Sequence, residues 1–271
     1  YNKIRSYDQY VQNDVIHLVD IGADPEVLVN NTTYPLEIEN LEDGDIAVTL
    51  DKYQTKPTRV TDDELHALTY DKMASVVDRH KEAFSETKFS RAIHSVAPAE
   101  HTDKTPVILT SGEVADDRKR LTRSDIIALK KAFDKAKVPA EGRILVLCAD
   151  HVADLLEQDQ KFAAQYYNYE SGAISRLYGF EVYEFNECPY YNATTRKKLA
   201  YGAIPAATDR QCSVAYSTKR VMRADGSTKT YLQEAANNPA TQENLFSMRT
   251  YTLCLPTKNE GLGAIVSAPN A

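Results

Sequence analysis

Cys148, Asp150 and His151 stand within four positions of one another in the stretch VPAEGRILVLCADHVADLL, residues 138–156. A thiol, a carboxylate and an imidazole are the parts of a nucleophilic centre. The thiolate attacks, the imidazole takes its proton, and a third group orients the imidazole. Such a centre needs a thiolate that solvent can reach. Cys148 instead ends the apolar run Ile144–Leu147, and a buried thiol is inert. Asp150 has a structural use as a helix N-cap. The cluster therefore reads as a strand handing over to a helix, with a soluble Cys-dependent enzyme as an alternative reading.

The other chemical patterns are thinner. His66, His80, His94 and His101 form no HxxxH or HExxH, and only His80 and His94 share a helical phase, so no metal centre is expected. Cys148, Cys188, Cys212 and Cys254 contain no CxxC pair and read as buried reduced thiols. No GxxxxGK[ST] occurs, and GLGAI at 261–265 has no room for a following helix, so no nucleotide or other cofactor is expected. Glu37 with Glu39 and Asp62 with Asp63 fit a ribbon face and a helix start better than an acid–base pair. The N-x-T patterns at Asn30, Asn31 and Asn192 have nothing beside them to suggest secretion.

The net charge of −7 disfavours a dedicated nucleic-acid reader. Arg118-Lys119-Arg120 with Arg123, and Arg196-Lys197-Lys198, read as solvated loops. No apolar run approaches the roughly 18–20 residues that cross a bilayer, and the start has no signal-peptide pattern. The first residue is Tyr1, which fits a processed or truncated chain. Seventeen tyrosines, clustered at Tyr166-Tyr167-Tyr169 and Tyr190-Tyr191, suit contact with other proteins.

The elements carrying these residues follow an elongated plan. Residues 1–33 form a mixed-polarity arm with a strand over Val15–Ile21. Residues 34–60 alternate as a hairpin, with Leu36 and Ile38 on one arm, Asp43-Gly44 at the turn, and Ile46, Val48 and Leu50 on the other arm. Its apolar face is thin, and a two-stranded ribbon alone is marginal in water, so something must cover it. Thr61 and Glu64 have capping-box spacing at the start of a helix of about 24 residues and about 36 Å. Leu65, Leu68, Met73, Val76 and Phe84 form its stripe. Thr122 and Asp125 open a second helix with Ile126, Leu129 and Phe133 inward. RILVLC is a strand buried on both faces. Strands follow around Phe180 and Val182, at an expected Asp225-Gly226 hairpin, and along NLFSMRTYTLCLPT.

This order of parts, together with LTRSDIIALKKAFDKAKVPAEGRILVLCADHVADLLEQ, LYGFEVYEFNECPYYN and MRTYTLCLPT…GAIVSA, resembles a major capsid protein of a tailed double-stranded DNA bacteriophage, of the Hong Kong 97 type. The resemblance implies an α+β fold with an N-terminal arm at 1–33 and an extended β-hairpin loop at 34–60. A spine helix and peripheral domain, with part of the C-terminal strands, would take 61–138, an axial domain 139–248, and closing peripheral strands 249–271. It implies a non-enzymatic subunit that forms pentamers and hexamers of an icosahedral virion head, assembled in the host cytoplasm. Its partners would be other copies of itself, portal or head-decoration proteins, and packaged DNA held non-specifically, with no membrane. Ile46, Val48 and Leu50 would then be covered by a neighbouring subunit. Asp51, Lys52, Tyr53, Arg59, Asp78 and Arg79 would set register at the rim. The shell of an encapsulin-type bacterial nanocompartment shares this fold and is the alternative.

Overall fold

The computed structural model describes residues 1–12, 14–20, 44–61, 64, 71–115, 117–158, 167–168, 173–174, 176–238 and 240–270. Two sheets share one long helix. The first sheet runs in the order Arg5–Ser6, Val221–Gln233, Glu243–Pro256, Asp51–Gln54, with Thr58–Thr61 also paired to Glu243–Pro256. The second runs Arg176–Leu177, Phe180–Glu184, Arg143–Leu147, Asp209–Ser217, Leu262–Val266, Val107–Leu109, with Tyr190–Asn192 beside Asp209–Ser217.

Arg143–Leu147 is buried throughout, as its unbroken apolar run requires. Its side chains alternate between two cores. Leu145 and Leu147 face Ile126, Leu129, Phe133, Val152 and Leu155. These come from helices Arg123–Lys135 and Ala149–Gln158. Ile144 and Val146 face Ala92 and Val96 of the long helix. The period of two places one strand between three helices.

The long helix spans Lys72–Val96 and is capped by Asp71, whose side chain accepts from the Ala74 N–H at 3.0 Å. At 1.5 Å per residue it is about 37 Å long. The Thr61–Glu64 capping box forms as its spacing predicts, with contacts of 3.3 and 3.4 Å, but the long helix Lys72–Val96 has its own N-cap, Asp71, ten residues after Thr61. Leu65, Leu68 and His66 lie outside the described residues, as do Leu36 and Ile38. Of the expected stripe, Val76 is buried, while Met73 and Phe84 pack partly against Val60, Phe246 and Met248.

Several expectations change. Gly44–Thr49 pairs antiparallel with Val15–Asp20, in a register that sets Gly44 against Asp20. Gly44 is thus a strand residue and not the turn, and the partner strand comes from the arm. The arm itself is anchored at its start. Ile4 is buried, Arg5–Ser6 pairs with Met222–Arg223, and the Tyr1 hydroxyl lies 3.0 Å from both Asp225 and Thr252. Asp225-Gly226 is a bulge within the continuous Val221–Gln233 strand, not a hairpin. A side chain at Gly226 would press on Leu50, Tyr251 and Asp14 at 3.1–3.3 Å. Residue 249 lies within one continuous strand, Glu243–Pro256. Leu262–Val266 is an inner strand of the second sheet, and Val221–Gln233 belongs to the first.

Gly263 marks the tightest helix–sheet approach. A Cβ there would stand 2.8 Å from Leu129 Cδ1 and 2.9 Å from Phe133 Cε1. Gly263→Ala is expected to destabilise the chain by about 1–3 kcal/mol through overpacking. A lower denaturant midpoint at unchanged m-value checks it.

Candidate functional site

The Cys148–His151 cluster is a buried joint. Helix Ala149–Gln158 begins immediately after Cys148, whose carbonyl accepts from the Val152 N–H at 3.1 Å. Asp150 therefore sits in the first helical turn, where its carboxylate favours the helix dipole, and is not the N-cap expected of it. Its carboxylate is 3.9 Å from Arg118 Nε. His151 is fully buried between Ser213 Oγ at 2.6 Å from Nδ1 and Ser267 Oγ at 3.0 Å from Nε2. One neutral tautomer satisfies every group: Ser213 accepts from the Cys148 N–H at 3.1 Å and donates to Nδ1, while Nε2–H donates to Ser267. Burial lifts the Cys148 thiol to about 11 and lowers His151 to about 4. The group ties strand Arg143–Leu147 to strands Asp209–Ser217 and Leu262–Val266.

His80, His94 and His101 also hold structure. His80 lies between Thr58 Oγ1 at 2.9 Å and Thr55 Oγ1 at 2.8 Å, locking the long helix to the chain at 55–58. His94 Nε2 donates to the Leu199 carbonyl at 2.9 Å, and the His101 Nδ1 accepts from the Val107 N–H at 3.0 Å. Among the described residues no group of three or more His, Cys, Asp or Glu could hold a metal. All four cysteines are free and buried.

Two expected solvated basic clusters prove partly internal. Arg118 is buried and makes a bidentate pair with Asp154 at 2.6 and 3.0 Å, and the same carboxylate accepts from the Leu121 N–H at 2.9 Å. Lys198 donates to the His94 and Ala97 carbonyls, each at 2.7 Å, closing the C-terminus of the long helix. Neither role shows in a run of basic letters, because each depends on a partner about 36 or 100 residues away.

The expected contact residues divide. Leu50 is buried in its own chain with Ile16, Met222, Ala224 and Leu253. This corrects its assignment to a neighbour's surface: the strand turns inward at Leu50 to enter the first sheet. Val48 packs only partly against that cluster. The backbone of Ile46 pairs with Leu18, and its side chain lies outside the described set. Asp51, Lys52 and Tyr53 form an edge strand against Thr252, Tyr251 and Thr250. Asp51 and Tyr53 share the face toward the long helix, where Arg91 Nε is 3.8 Å from Asp51 Oδ2. Burial, together with the Asp51 charge, pushes the Tyr53 phenol up to about 12. The Arg91 guanidinium also lies 4.8 Å from the Tyr201 ring centroid. Sequence reading missed Arg91 and Tyr201, since neither belongs to a local motif. Lys52 is exposed. Arg59 is exposed and reaches the largely covered Glu243 at 3.5 Å, and Asp78 pairs with Lys81 at 3.1 Å on open surface. Asp78 and Arg79 stand about 20 Å along the helix from Arg91, so the structure does not gather the rim residues into one place. The described residues present an extended ribbon root, an edge strand and a charged helix face.

Comparison with solved structures decides what this shape is. The chain aligns over 99% of its length with 87% of a chain in the capsid of cyanophage P-SCSP1u, at TM-score 0.69 and 13% identity. It aligns over 97% with 89% of a chain from Mycobacterium phage Che8, at TM-score 0.67 and 12% identity. It aligns over 98% with 89% of a chain in the capsid of a native GTA particle, at TM-score 0.63 and 12% identity. The fold is the phage capsid fold. This is the Hong Kong 97-type α+β architecture that the order of elements resembles. No family model and no curated protein matches the sequence.

Two outcomes follow from the buried joint. His151 is held below its unfolded value of about 6.5, so the folded state binds fewer protons between the two values. Its contribution is complete above pH about 6.5 and is lost as pH falls toward about 4, a change on the order of 3 kcal/mol. Unfolding titrations should lose this slope in His151→Gln. Cys148 should stay unmodified by iodoacetamide in native protein and react after unfolding, read by peptide mass spectrometry.

Proposed function

We propose that this chain is the structural subunit of an icosahedral phage head. Copies join into pentamers and hexamers that close around double-stranded DNA without reading its sequence. It would act within the virion, beside portal or head-decoration proteins. The observation that carries the reading is the likeness to phage capsid chains over nearly the whole length of the sequence. The acidic balance of −7 suits a container more than a DNA reader. We assign the first sheet with the lower part of the long helix to the peripheral lobe, and the second sheet with its two helices to the axial lobe.

In this reading the ribbon of Val15–Asp20 and Gly44–Thr49 leaves the body at Leu50 and lies across a neighbour. The two strands pair with each other, and the side chains on the ribbon faces would make the contact. Ile46 and Val48 remain the apolar candidates. Lys52, Arg59, Asp78 and Arg79 would set register as many small terms, since one exposed ion pair is worth about 0–1 kcal/mol.

Purified protein should sediment as rings or closed particles, with shells in negative-stain micrographs. A clean 30.3 kDa monomer at high concentration across several salt conditions overturns the reading.

A further inference from the structure

The loop from Ala200 to Thr208, AYGAIPAAT, is exposed along its whole length and carries no charge, and Ile204 at its centre is 93% exposed. One exposed aliphatic side chain is ordinary, but an uncharged apolar run around it is a patch that water disfavours. The loop is also fixed. The Ala203 N–H donates to the Ala200 carbonyl at 3.1 Å, and the Ala206 N–H to the Asp209 carboxylate at 2.8 Å. The Tyr201 ring sits edge-on to His94 and beneath Arg91. A held loop loses little conformational entropy on docking.

The opposite flank of the long helix carries a matching depression. An open cleft of about 360 Å³ is lined by Ile4, Phe89, Ile93, Ile144, Tyr183 and Phe185 among others. Phe89 and Tyr183 are 38% and 43% exposed. One water occupies about 30 Å³, so the cleft has room for an aliphatic side chain with its neighbours. At 100° per residue, Arg91 and His94 point about 200° and 140° around the helix from Phe89. Loop and cleft therefore sit on different flanks of the same molecule, and the loop is directed away from its own cleft. Lys3 and Glu184 also line the cleft, and Lys3 pairs with Glu181 at 2.5 Å, so an uncharged loop brings no like charge to that rim.

We propose that Ile204 and its loop seat in the Phe89–Ile93–Tyr183 cleft of a second copy of this chain. The contact is heterologous: a knob on one copy enters a hole on the next, and successive copies close a ring when the rotation permits. This rests on the shell reading and names an apolar contact between neighbouring subunits. Tyr201 also lines a cavity of about 380 Å³ with Val48, Tyr53 and Arg91, so the loop is continuous with the ribbon root.

The test mixes two single-cysteine additions, Ile204→Cys on a tagged chain and Tyr183→Cys on an untagged chain, under assembly conditions with oxidation. A tagged–untagged linked pair on a non-reducing gel is expected only from the mixture. Ile204→Asp should raise the subunit concentration needed for assembly by about tenfold or more, whereas Leu232→Asp, exposed on the far end of the first sheet, should not. Ile204→Cys linking to itself overturns the proposal, because the loops then meet each other. So do wild-type-like assembly of Ile204→Asp and absence of the mixed product, even while shells form normally and the shell reading stands. A wild-type chain that never leaves the monomer overturns both.

Discussion

Val76 and His80 near one end of the long helix, and Ala92 and Val96 near the other, are its buried side chains. The first pair faces Val60, Phe246 and Met248 of the first sheet. The second faces Ile144, Val146 and Tyr216 of the second. Most of the remaining helix surface is charged or polar, so no continuous apolar stripe runs down it. Two sheets held at separate stations on one rigid rod must keep their spacing, because helix length is fixed at 1.5 Å per residue. The Glu243–Pro256 strand enforces the same relation, since Phe246 and Met248 lie in the lower cluster and Cys254 in the upper one.

That arrangement leaves the helix C-terminus inside the molecule, where free carbonyls are costly. The loop at 190–201 meets them. Lys198 covers the His94 and Ala97 carbonyls, the Tyr191 hydroxyl donates to Pro98, and His94 returns a bond to Leu199. Arg143 covers carbonyls of the turn that follows helix Arg123–Lys135, donating to Val138 and Pro139 at 2.6 and 3.0 Å. Arg118 and Asp154 play the equivalent part between helix Ala149–Gln158 and the chain at 118–121. Buried charges of this kind add little net stability over a well-packed apolar pair, yet removing one partner is severe, about 3–5 kcal/mol. They select one arrangement of helix ends over others.

These long-range anchors mark the boundary of what the letters disclose. Arg143–Leu147 was legible because an unbroken apolar run has one use in a small sheet. The Thr122–Asp125 capping box was legible because its partners are three residues apart, and both halves form. Pairing of Gly44–Thr49 was not: alternation specifies a face but not a partner, and Val15–Asp20 wins through Ile16 packing with Leu50 and Met222. Asp225-Gly226 misled for a related reason. The pair suits a tight turn in isolation, but here it lies inside a strand, where Leu50 and Tyr251 crowd the Gly226 position. Arg118 and Lys198 looked solvated because charge alone does not say whether a carboxylate or a helix end waits across the fold.

Leu50 sharpens the problem of association. Its side chain is buried in the chain's own core and is not available to a neighbour. The exposed pairs at Arg59, Asp78 and Lys81 lie in high dielectric and are screened within about 8 Å at physiological salt. A contact built from those alone would weaken steeply with ionic strength. A stable shell therefore needs apolar area that stays exposed in the isolated subunit. The described surface offers it at Val48, at the Phe89–Tyr183 cleft and at the uncharged loop around Ile204. Under the proposed shell reading, burial at those places, unlike pairing on the charged helix face, would hold or strengthen with salt.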